Sequence, residues 1–183
     1  MSTSHKPPLN RRRWLACVLL AALTLTSCGG ASKPTAVSGL ETAPVVGSLA
    51  PGFALKTPAG DTVTLSSYRG ERAVLVNFWA TWCAPCKKEM PELQQLHERL
   101  NASIAVIGID LDESAAQVSD FVKEVGISFT TVIDPGQAVA KQYRLIGVPS
   151  TFLIDKLGVV RAMKVGPFTS QDEINTLLKK AGL

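Results

Sequence analysis

Cys83 and Cys86 stand two residues apart in the run Trp82-Cys83-Ala84-Pro85-Cys86, just after an apolar stretch and at the start of a helical one. Two intervening residues let the second sulfur reach the first and close a small disulfide ring. The first cysteine falls at a helix N-terminus, where unpaired backbone N–H groups stabilise a thiolate. A lowered thiol pKa makes more thiolate at neutral pH, and thiolate is the nucleophile. In this reading Cys83 attacks a disulfide, and Cys86, more buried on the helix, resolves the mixed disulfide. Pro85 stiffens the ring and opens the helix, where its missing N–H is no loss.

Blander uses of the pair fit less well. A zinc site needs about four ligands, whereas after the leader only His97 is on hand and there is no second cysteine pair. A purely structural disulfide would close too small a loop to add much stability. Haem attachment needs histidine at position 87, where the chain has Lys87. No metal and no cofactor is expected.

The elements that must position this pair can be read from the apolar pattern. Phe53–Leu55 and Thr62–Leu65 flank a Pro/Gly turn and predict a hairpin. Ala73–Trp79 is a near-continuous apolar run, as for a strand buried on both faces. A helix is predicted over 84–100, with Met90, Leu93, Leu96 and Leu100 at helical spacing, and a second buried strand over 104–109. A helix over 114–125, a short strand over 130–133 and a short helix over 137–143 follow. Strands 151–154 and 159–165 are joined by a tight turn, and a last helix spans 170–181 with Ser170 and Glu173 placed for a capping box. The order predicts an α/β domain with a central mixed β-sheet flanked by helices.

The stretch Asn77-Phe78-Trp79-Ala80-Thr81-Trp82-Cys83-Ala84-Pro85-Cys86-Lys87-Lys88-Glu89-Met90-Pro91 resembles the active-site segment of thioredoxins, and most of all the membrane-tethered TlpA/ResA-like branch of bacterial thiol–disulfide oxidoreductases. Gly147-Val148-Pro149-Ser150-Thr151-Phe152 resembles the second family motif. The resemblance covers about residues 45–183. It implies a thioredoxin-like fold with an N-terminal β-hairpin extension and a redox-active Cys83–Cys86 disulfide. It also implies a kinking proline at Pro91 and a cis bond before Pro149 that faces the disulfide. That bond would leave the backbone of Val148 free to pair with an extended substrate strand. Trp82 is expected to form an exposed apolar platform, so Trp82, Val148 and Pro149 are the substrate-binding candidates. Trp79, Tyr68, Phe121, Phe129 and Tyr143 read as core, and Lys87 and Lys88 as a solvated helix face.

One departure from the family pattern matters. Thioredoxins carry a buried aspartate six residues before the first cysteine, and this chain has Asn77 there. An amide cannot accept the resolving thiol's proton. Glu89 and Asp110 are the candidate carboxylates, although the simpler expectation is a solvated helix face for Glu89 and a strand end for Asp110.

Residues 1–27 read as an export signal: a basic stretch ending at Arg13, then the 12-residue apolar run Trp14–Leu25. That run is shorter than the ~20 residues of a membrane span. Leu25-Thr26-Ser27-Cys28 resembles the bacterial lipoprotein box and implies lipidation of Cys28, with residues 28–44 as a flexible tether and the domain over 45–183. Four of the 19 basic residues lie before Cys28, and the 15 that remain balance the 15 acidic ones. The net +4 therefore belongs to the leader and gives no support to nucleic-acid binding.

The expected activity is extracytoplasmic thiol–disulfide exchange. By resemblance it reduces disulfides of envelope proteins such as apocytochrome c, with electrons from a membrane donor. Two alternatives keep the fold. A thiol peroxidase wants threonine three residues before the attacking cysteine, where this chain has Ala80; a copper-delivery protein wants three residues between its cysteines and a distant histidine.

Overall fold

The computed structural model describes residues 39–183. The expected export signal, Cys28 and the expected tether up to residue 38 lie outside the described residues. Among the described residues no helix is long and apolar enough to cross a membrane.

Seven strands form one mixed sheet: β1 (Ala54–Lys56), β2 (Thr62–Thr64), β3 (Ala73–Trp79), β4 (Ile104–Asp110), β5 (Thr130–Ile133), β6 (Ser150–Ile154) and β7 (Val160–Val165), in the spatial order β2-β1-β5-β4-β3-β6-β7. Strands β3, β4 and β5 run parallel, and β6 returns antiparallel beside β3. The helices are α1 (Ala84–Leu100), α2 (Ala115–Val125), α3 (Ala138–Gln142) and α4 (Gln171–Lys180). The fold is thioredoxin-like, and the predicted hairpin is β1–β2, which joins the sheet edge through Lys56 opposite Ile133.

Strand β3 shows how sequence becomes architecture. All seven of its residues are buried, which explains an apolar run broken only by Asn77. Because side chains alternate across a strand, Ala73, Leu75 and Trp79 enter one core layer with α1, α2 and α4, while Val74, Val76 and Phe78 enter the other with α3 and the hairpin. Asn77 has the parity of Leu75 and Trp79. It therefore faces the α1 layer, the side on which Cys86, Met90, Leu93 and Leu96 pack.

The helix ends follow local chemistry. Ser114 and Gln117 form a reciprocal capping box on α2, and Gly126 closes that helix with φ 70°. At α4 the expected box is only half made. Ser170 accepts the Glu173 N–H, but the Glu173 carboxylate turns to the backbone and hydroxyl of Thr169. The element boundaries otherwise shift by a residue or two. The expected helix over 137–143 splits into a 3-10 turn at Pro135–Gln137 and α3, because Gly136 and Gln137 both take positive φ. Chain pairing begins ahead of Val45: Glu41 and Ala43 bond to Leu49, and Gly47 and Ala50 bond to the β6–β7 turn.

Candidate active site

The site sits where β3 ends and α1 begins. Cys83 is the N-cap of α1, and its sulfur accepts the Cys86 N–H at 3.2 Å. The two cysteines are joined in a disulfide. Cys83 retains 4% of its surface and Cys86 none, so of the two cysteines only Cys83 keeps any exposure. Pro85 lies in the first turn, where helix N–H groups have no intrahelical acceptor, and α1 continues through Pro91.

One helical turn beyond Cys86, on the buried face of α1, Glu89 belongs to a buried polar cluster. The Asn77 amide donates to Glu89 Oε1 at 2.8 Å and to Thr151 Oγ1 at 3.1 Å. The second oxygen of Glu89 accepts the Phe168 N–H at 2.9 Å. Glu89 is fully buried, which overturns the expected solvated helix face. The reason is helical phase: Cys86, Glu89, Leu93 and Leu96 follow one another at three- and four-residue steps on the inward face. Burial raises the Glu89 pKa to about 7 against the lowering pull of the Phe168 N–H, the Asn77 amide and Lys164.

Asp110 is also buried, not merely a strand end, with one oxygen accepting the Glu113 N–H at 2.9 Å. Burial, then the nearby Glu113 carboxyl, raises its pKa to about 8. Burial opposes ionisation of Glu113 too, but its contacts with Asp110 and Thr81 prevail and lower its pKa. Glu113 clamps the loop ahead of the cysteines, taking the Thr81 N–H and hydroxyl at 2.6 Å each. No motif pointed to Glu113, since its role depends on a β4–α2 connection folding under the β3–α1 loop. Glu89 had a signal in the spacing from Cys86.

The remaining expected residues fall as follows. Trp82 projects from the loop with 68% exposure, and Trp79 is fully buried against Phe121. The Val148–Pro149 bond is cis, Pro149 is buried, and half-buried Val148 packs against the layer that holds both cysteines. Tyr68 is only half-buried, while Phe121, Phe129 and Tyr143 are buried as expected. Lys87 pairs with Glu124 on the surface. Ala80 is buried and the Thr81 hydroxyl is taken by Glu113, so the turn before Cys83 holds no free hydroxyl of the kind the peroxidase alternative wants. Among the described residues no group of three or more His, Cys, Asp or Glu side chains is placed to hold a metal.

A thioredoxin-like sheet with a Cys-x-x-Cys disulfide at the β3–α1 junction defines a dithiol–disulfide exchange protein. Residues 46–163 match the AhpC/TSA family, and the chain belongs to that family. It is 38% identical over 133 residues to a protein named thiol-disulfide oxidoreductase ResA from Geobacillus kaustophilus, covering 72% of this chain and 76% of that one. A thioredoxin-like protein, YneN, from Bacillus subtilis is 32% identical over 164 residues, covering 88% and 94%. Among solved structures, a thiol:disulfide interchange protein DsbE of Chlorobium tepidum superposes with a TM-score of 0.69 at 30% identity, over 75% of this chain and 97% of the other. The chain is a thiol–disulfide oxidoreductase.

Proposed function

We propose that the dithiol form of this protein reduces disulfides of envelope proteins, with Cys83 as the attacking and Cys86 as the resolving cysteine. The observation that carries this reading is the asymmetry of the pair: Cys83 caps α1 and keeps a trace of exposure, while Cys86 is wholly enclosed. The Cys83 thiolate attacks one sulfur of the substrate disulfide. A mixed disulfide forms and one substrate thiolate leaves. Cys86 then gives up its proton and attacks the Cys83 sulfur, which re-forms the Cys83–Cys86 disulfide and releases the second substrate thiolate. Two electrons pass to the substrate, and a dithiol donor in the membrane returns the protein to its reduced form.

Glu89 supports the second step. It lies one helical turn beyond Cys86 on the same buried face, with a pKa of about 7 that suits a proton acceptor at neutral pH. Asn77 cannot take that proton, but its amide fixes the carboxylate in place. Trp82, Val148 and Pro149 form the surface on which the substrate chain lies. Cys28 carries the lipid that holds the domain to the membrane, and residues between it and the domain act as a tether.

Trapping tests the assignment. Cys86→Ser should accumulate a mixed disulfide through Cys83, stable to non-reducing electrophoresis, and Cys83→Ser should not. The reverse pattern would exchange the two roles. Separately, Cys28→Ala should release the protein from membranes into the soluble envelope fraction; retention after a salt wash would refute the lipid anchor.

A further inference from the structure

Beside the disulfide runs an open groove of about 660 Å³. Trp82, Leu111, Ile146 and Val148 give it apolar walls, and its only charged lining residues are Lys141 and Arg144. Trp82 and Ile146 expose 68% and 87% of their surface, a degree of apolar exposure that marks a contact site for another chain. The cations are uncompensated. Among the described residues neither forms an ion pair, and Lys141 Nζ meets only the Gly136 carbonyl at 2.9 Å. Asp112 keeps its negative charge while accepting the Gly136 N–H at 2.8 Å, but it does not line the groove. Both charged lining residues are therefore positive, on a surface that begins at the residue preceding Cys83 and ends at the residue preceding Pro149.

From this juxtaposition we propose that the groove selects polypeptide substrates whose disulfide is flanked by acidic and apolar side chains. The inference rests on the dithiol reading above and adds a substrate class to it. Apolar side chains of the bound segment would lie against Trp82 and Ile146, and its carboxylates against Lys141 and Arg144. Complementary charge of this kind acts mainly on encounter and on the choice among partners, and it weakens as salt screens it.

Two peptides with the same disulfide ring and the same leucines, one flanked by glutamates and one by lysines, test the proposal on the full chain reduced beforehand with dithiothreitol. At low ionic strength the second-order rate constant of this single-turnover reduction should favour the acidic peptide about tenfold, the effect of a few exposed charge pairs that attract one peptide and repel the other. The ratio should fall toward one as salt is raised, and Lys141→Glu with Arg144→Glu should invert it. Equal rates for the two peptides in the wild type at low salt would overturn the proposal, as would a ratio indifferent to salt. If light scattering instead shows a dimer that occupies the groove and no peptide preference is seen, the surface is a self-contact and the proposal fails. The wild type should also reduce the neutral hydroxyethyl disulfide. Failure there would refute the dithiol reading itself, whereas success there with no peptide preference refutes only the selectivity.

Discussion

Asn77 and Glu89 meet as donor and acceptor at 2.8 Å in a fully buried site one helical turn beyond Cys86. The amide stands where a second carboxylate would repel the first, so one acid occupies this site and its proton affinity is set by burial. Glu89→Gln should therefore slow turnover at neutral pH by roughly 100-fold, the low end of the range for a positioned proton acceptor. Wild-type turnover should rise with a midpoint near pH 7, the Glu89 pKa, and the variant should lack that inflection. Stopped-flow measurement of mixed-disulfide resolution across pH 5–9 would show it. An unchanged profile would refute the role of Glu89.

Asn77→Asp carries the same argument in the opposite direction. The substitution removes the donor to both Glu89 and Thr151 and sets two carboxyls side by side in the core. One of the two must then hold a proton, as like charges in a shared buried site require. The variant should lose about 2–4 kcal/mol at pH 8 and recover most of it at pH 5. Urea unfolding at both values measures this.

Much of this was legible beforehand. Near-continuous apolar runs and helical spacing located the strands and helices because β3 and β4 are buried on both faces and α1 has one apolar stripe. The Cys83–Cys86 pair announced its own chemistry through its place at a strand–helix junction. The buried acids did not. Glu89 is a charged residue in a helix rich in charged residues, and only its phase relative to Cys86 set it apart. Asp110 and Glu113 act through a loop crossing that local pattern does not encode.

Stability should depend on pH in a direction opposite to that of a salt-bridged acid. Glu89 binds its proton up to about pH 7 when folded but releases it near 4.5 when unfolded, and Asp110 does so up to about 8 against 3.8. Over that window the folded state holds more protons, so the stability these two acids contribute is fully present below about pH 4, is lost as pH rises to about 8, and levels off beyond. Glu89 alone accounts for about 3 kcal/mol of the decline. Denaturant midpoints from pH 5 to 9 should fall in the wild type, and Glu89→Gln should fall less steeply. A wild-type midpoint that rises over the interval would contradict the burial of these acids.

Gly108 in β4 tests the packing behind the site. A methyl group there would lie 2.9 Å from Trp79 Nε1 and 3.1 Å from Phe129 Cε2, both on buried rings. Gly108→Ala should destabilise by about 1–3 kcal/mol, the usual range for an overfilled core. Thermal unfolding followed by tryptophan fluorescence would register the loss together with displacement of Trp79.

The strand pairing also sets the entering chain and the reactive cysteines at opposite ends of the sheet. Residues entering the domain are stitched to the β6–β7 turn, at Gly158 and Val160, whereas the cysteines lie at the opposite end of β3. The length of a seven-residue strand, roughly 20 Å, separates the two ends. A pull on the chain ahead of the domain would therefore be borne at the end of the sheet remote from Cys83, and the reactive end would carry none of that load.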